Sequence, residues 1–144
     1  MKAAIRTIVF AALIGFVATA SADSFFDGKR PLLCSVYQLF ECDAPNACQA
    51  VTPEQIGGVS HLNVDFKNKM ITRAGVESKQ TSTIDSVETI DSKLILSGIE
   101  DGEAEVRDGA GWTISIMDPE GTMVMAVAGD GFAVVGLGAC VPKP

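Results

Sequence analysis

Three of the four cysteines, Cys34, Cys42 and Cys48, lie close together early in the chain, and the fourth, Cys140, stands four residues from its end. A bridge from that early group to Cys140 ties the two ends of the fold together, so the first and last ordered segments have to be neighbours. Four cysteines allow three pairings. Cys42 and Cys48 flank Asp43-Ala44-Pro45-Asn46-Ala47, a run of turn-forming residues, which favours a local bridge between them and leaves Cys34 for Cys140. The longer bridge closes most of the chain, and in the chain-entropy model it contributes about 4 to 5 kcal/mol. A metal-thiolate reading needs closely spaced pairs such as C-x-x-C, and the sequence has none.

Bridges of this kind need an oxidising compartment, and the N-terminus supplies the route to one. Lys2 and Arg6 give a positive start, Thr7 to Val17 are mostly apolar, and Ala20-Ser21-Ala22 fits the small-x-small cleavage rule. Residues 1–22 therefore read as a cleaved signal peptide and 23–144 as a single β domain that starts at Asp23. The apolar stretch is shorter than the roughly 20 residues of a spanning helix, and no later stretch is long and apolar enough to span, so no membrane span is expected in the mature form. The residue directly after the cleavage point is Asp23, not a cysteine, which argues against a lipid anchor. Taking 22 from 144 residues leaves 122, enough for one modest core. The leader holds two of the 11 basic residues and none of the 18 acidic ones, so nine positive charges face 18 negative ones in the mature chain. Such a surface repels phosphate backbones, and no nucleic acid partner is expected. The expected location is periplasmic or secreted.

Downstream of Gly57 the sequence alternates apolar and polar residues in short runs divided by turn formers, the pattern of antiparallel strands. Leu62, Val64 and Phe66 alternate with Asn63 and Asp65, and Lys67-Asn68-Lys69 turns the chain into 70–74. The runs 81–90 and 93–99 flank Asp91-Ser92, and 112–117 and 122–128 flank Asp118-Pro119-Glu120-Gly121. Asp130-Gly131 is the strongest local hairpin signal. With 33–41 as the first strand, the count is about eight. Thr52-Pro53-Glu54-Gln55 carries a cap, a first-turn proline and a capping-box glutamine, which predicts one short helical turn near 52–56, stopped by Gly57-Gly58. The fold class is all-β: an antiparallel up-and-down meander, curled into a small closed or nearly closed barrel because closure removes sheet edges. An open, strongly bent sheet is the alternative.

Simple turn lengths then fix the register of the last strands. Trp112, Ile114 and Ile116 face Val127, Met125 and Met123 on one side, with Gly136 and Gly138 beside the two methionines. The same register puts Val124, Ala126, Ala128, Ala133, Val135, Leu137 and Ala139 on the outer face as an apolar patch. The segment from Ser24 to Leu33, a second copy in a homodimer, or another partner would cover it.

Three chemistries are open to these residues. His61, the only histidine, neighbours Ser60 and Asp65, but a hydrolase needs a base held between nucleophile and acid, and His61 at a strand start points outward when Leu62 points inward. Met123 and Met125 offer two thioethers on one strand face, and with Trp112 or His61 they would suit Cu(I) or Ag(I). Methionine also fills core gaps, which the facing glycines favour. The acidic run from Glu100 to Glu105 with Asp108 offers oxygens for Ca²⁺, without the order of an EF-hand loop, and reads as a solvated loop.

Pro31-Leu32-Leu33-Cys34, Phe40-Glu41-Cys42 with Cys48, Gly111-Trp112, and Gly129-Asp130-Gly131 through Gly138-Ala139-Cys140 together resemble a family of small exported bacterial proteins of unassigned activity. In architecture the chain is similar to periplasmic lysozyme inhibitors, also small disulfide-tied barrels, and in residue types Met123-Val124-Met125 is similar to the Met-x-Met of small periplasmic copper-handling barrels. The resemblance to the exported family brings no substrate and no catalytic residue, and no cofactor is expected. The expected function is a non-enzymatic exported β-domain that binds an envelope protein or a small ligand at its outer patch or barrel mouth. The alternatives are a Cu(I)/Ag(I) binding protein and a hydrolase using His61.

Overall fold

The computed structural model describes residues 24–44, 46–58, 60–75, 81–100 and 109–144. The expected leader, 1–22, lies outside them. The described strands are β1 (Leu32–Asp43), β2 (Gln49–Val51), β3 (His61–Asp65), β4 (Met70–Arg73), β5 (Thr81–Thr83), β6 (Ser86–Ile90), β7 (Lys93–Glu100), β8 (Ala110–Met117), β9 (Thr122–Gly129) and β10 (Phe132–Pro142). They form one antiparallel sheet in the order β5-β4-β3-β1-β10-β9-β8-β7-β6, with β2 paired to β1 beside that path. Apart from β2, and from β5 and β6, which stand at the two ends of this order, each strand neighbours the next in sequence, and the first pairs with the last.

Strand β1 organises this arrangement. Along one edge it pairs with β10 from Leu32↔Pro142 to Asp43↔Phe132. Its other edge is shared by β3, opposite Leu32 to Ser35, and by β2, opposite Leu39 to Glu41. A bulge at Tyr37 shifts the register between Val36 and Gln38. Leu32, Cys34 and Val36 are buried before it and Leu39 after it, so the bulge changes which residues face the core, and Tyr37 is left 68% exposed. The Cys34–Cys140 bridge spans directly opposed residues of β1 and β10, and Cys42–Cys48 closes the loop between β1 and β2.

Two expectations need correction. The run 81–90 is two strands, because the chain turns inward at Ile84, which is 1% exposed. Ile84 N–H donates to Lys69 O and Asp85 N–H to Ser97 O, so consecutive residues bond to opposite sides of the gap. Strand β5 pairs with β4 and β6 with β7, and among the described residues the ladder does not run across that point. The sheet is a curled half-barrel of ten strands, not a laddered closed barrel of eight. The helical turn near 52–56 is likewise absent, and no helix occurs among the described residues. Pro53 to Gly57 form turns, with Gln55 N–H donating to Thr52 O and Gly58 N–H to Pro53 O. Half of the capping box does form, since Thr52 N–H donates to Gln55 Oε1 at 2.7 Å. Gly57, at φ +62°, ends the segment before a helix can nucleate.

The inner face forms one apolar core that includes Leu32, Val64, Leu94, Leu96, Ile116 and Met123, and no polar side chain is buried in it among the described residues. Phe26 enters this core beside Gly121, at the end that holds Cys140, and Gly28 packs near Val87 and Leu94. That end is plugged by the N-terminal segment. Among the described residues the opposite end is open.

Candidate functional site at the open end

The open end is a cleft of about 320 Å³. Its walls are the inward residues of the strands that reach this end: Leu39 of β1, Leu62 of β3, Ile114 of β8, Met125 and Val127 of β9, and Val134 of β10. Trp112 forms one side, its ring lying over Gly98 of β7, which it opposes in register. The turn that replaces the expected helix brings Ile56 and Gly58 to the rim.

Three polar residues converge on the rim from positions where an all-apolar interior would carry hydrophobes. Arg73 follows buried Ile71 in the inward phase of β4 and stands opposite inward Leu62. Ser82 of β5 pairs with Ile71 and shares its face. Glu100 continues the inward phase of Leu94, Leu96 and Gly98 at the end of β7. Arg73 Nη2 donates to Gly57 O at 3.0 Å, and Ser82 Oγ donates to Glu100 Oε2 at 3.3 Å. A mainly apolar cleft with a few convergent polar groups is the usual form of a small-molecule site.

The residues singled out by sequence are dispersed around this cleft. His61 pairs with Ser35 on the outer face, while its neighbour Leu62 is buried inside. Asp65 lies four residues along the same strand, roughly 13 Å away, and its two carboxylate oxygens accept from Asn68 N–H and Nδ2. These bonds, the backbone one foremost, hold the Asp65 carboxyl below its ordinary pKa. A His61-based triad is therefore not assembled here.

Met123 is fully buried, packed against Gly138, and its Sδ lies 3.6 Å from Cys140 Sγ. Because Cys140 is bridged, it has no thiol proton to donate, and this is a packing contact between sulfurs. Met125 alone of the pair lines the cleft, over Gly136. His61 faces away from both methionines, so the set Met123, Met125 and His61 is not brought together. Among the described residues no three His, Cys, Asp or Glu side chains form a metal-binding group. Of the acidic run, Glu100 is described, and 101–105 and 108 lie outside the described residues.

The outer patch has the expected register, with Leu137 opposite Val124, Val135 opposite Ala126 and Ala133 opposite Ala128. Val124 is 45% exposed and Ala126 is exposed, while Ala133, Val135 and Leu137 are half-buried. The described part of the 24–33 segment does not cover it, because Phe26 and Leu32 turn into the core instead.

Arg73 and Ser82 were not singled out by sequence, and Glu100 was read only as the start of the acidic run. The signal was available in the strand phase: a charged residue two places after inward Ile71, and another two places after inward Gly98. The two disulfide bridges fit an oxidising, non-cytoplasmic environment, and no described helix is long and apolar enough to cross a membrane. The chain matches no family model, no curated protein and no solved structure, so its activity has to be read from the mouth itself.

Proposed function

We propose that the protein is an exported, non-catalytic binding protein whose ligand is a small, mainly apolar molecule held in the open end of the half-barrel. The observation that carries this reading is the cleft of about 320 Å³, with an apolar wall and polar groups confined to its rim. Protein interiors are close-packed, and unfilled apolar space costs stability. Leu94, Leu96 and Ile116 fill the interior fully at the plugged end, so the unfilled end is where a ligand completes the core. Among the described residues, the ionisable side chains that line the cleft are Arg73 and Glu100, with no imidazole or thiol, which supports binding over catalysis. The two bridges and the leader-like N-terminus support a periplasmic or secreted location.

Titration of the oxidised protein with 1-decanol, followed by the emission of Trp112, tests the reading, since this is the sole tryptophan. A saturable change with micromolar affinity and a raised melting temperature are expected. Met125→Glu, which puts a charge in the wall, should abolish both while leaving the circular dichroism intact. Absence of saturable binding, or binding unaltered by that substitution, overturns the proposal.

A further inference from the structure

We propose that the mouth selects amphiphiles with a carboxylate head, and that Arg73 is the residue that reads the head. This rests on the mouth as the ligand site and adds the chemical class of what enters it. The inward phase of β4 carries Arg73 to the rim, where Leu62 and Ile71 meet the solvent-facing end of the cleft. A guanidinium has five N–H donors in a fixed fork, and the contact to Gly57 O occupies Nη2 and anchors the plane at the rim. The donors that no other described residue occupies match the two oxygens of a carboxylate.

Glu100 sharpens the choice of position. Its Oε2 accepts from Ser82 Oγ, which holds the carboxylate toward β5, and an anionic head entering the mouth is repelled from that side and drawn to Arg73. The tail has one direction left to run, inward along Leu39, Leu62, Ile114 and Met125. The surface as a whole is acidic, with 18 acidic against 11 basic residues in the full chain, so a free anion gains nothing from long-range attraction. Recognition has to act at short range, after the tail has begun to bury, which suits an amphiphile better than a small hydrophilic acid.

Calorimetric titration of the oxidised protein with decanoate, 1-decanol and decylammonium, each below its micelle concentration, decides the matter. Decanoate is expected to bind about tenfold or more tightly than decanol, the worth of one charge-assisted contact at a partly exposed site. In Arg73→Gln that preference should vanish, with decanoate falling to the affinity of decanol, and an unaltered circular dichroism spectrum shows that the variant is folded. Decanol binding as tightly as decanoate, decylammonium binding more tightly, or a preference that survives in Arg73→Gln each overturns the assignment of the head but leaves the mouth reading standing. If none of the three binds, both proposals fall.

Discussion

At the scale of single residues, two backbone positions and one glycine carry unusual demands. Asp91 and Ser92, at φ +48° and +59°, form the two-residue turn between Ile90 and Lys93, a geometry with both central residues left-handed. A non-glycine residue there costs about 1 to 2 kcal/mol. Ser92→Gly removes much of that penalty, partly offset by the freer unfolded chain, and should stabilise the protein by about 0.5 to 1 kcal/mol in urea unfolding. A destabilised variant would show that the turn is not of this type. Gly98 is constrained differently: a Cβ there would run into Thr83 O and the Trp112 ring. A backbone carbonyl on one side and a buried indole on the other leave no room to yield. Gly98→Ala should cost about 3 kcal/mol and shift the Trp112 emission. Asp65 adds a pH dependence. Its folded pKa lies below the ordinary value, so its contribution is present above the unfolded pKa and fades as pH falls from about 4 through the lower folded value. Asp65→Asn should therefore flatten the fall of the melting temperature in that acid range, and an unaltered acid limb would contradict the bonding to Asn68.

At the scale of elements, β1 and its two bridges decide how the sheet holds together. The Cys34–Cys140 bridge spans a sequence separation of 106 and joins the first strand to the last, whereas Cys42–Cys48 spans 6 and closes one loop. In the chain-entropy model the long bridge is worth about 4 to 5 kcal/mol and the short one about 2. Replacing each pair by alanines should reproduce that order in urea unfolding, and a larger loss from the short bridge would contradict the seam between β1 and β10. Much of this was legible beforehand. The turn formers around Asp91, Asp118 and Asp130 located the hairpins, and the alternation from Trp112 to Ala139 fixed the final register. The bulge at Tyr37 was not legible, because an extra residue in a strand leaves no mark in composition and depends on β10 as partner. The break at Ile84 was hidden for a related reason: Thr, Val and Ile dominate Thr81 to Ile90, so Asp85-Ser86 alone does not mark a break, and the burial of Ile84 splits the run. At the mouth, Arg73 and Glu100 read as ordinary solvated charges until tertiary phase shows that they face inward.

At the scale of the whole molecule, the half-barrel is unlike at its two ends. Phe26 and the Cys34–Cys140 bridge close one end around Ile116, which is fully buried, while Val127, on the neighbouring strand, is half-buried at the open end. A side chain shortened at the sealed end leaves a dry void that its packed neighbours cannot collapse into. The same change at the mouth only widens a space already open to water. Ile116→Ala should therefore cost about 3 to 4 kcal/mol, and Val127→Ala about 1. A saturating mouth ligand should raise the stability of the parent protein and of Ile116→Ala by the same increment, because the two sites share no partner. In Val127→Ala that increment should differ, since the ligand touches the altered wall. Urea unfolding of the three proteins with and without decanol checks both statements. Equal costs at the two ends, or the same ligand increment in all three proteins, would mean that the open end is packed like the rest of the core and that the molecule has no mouth.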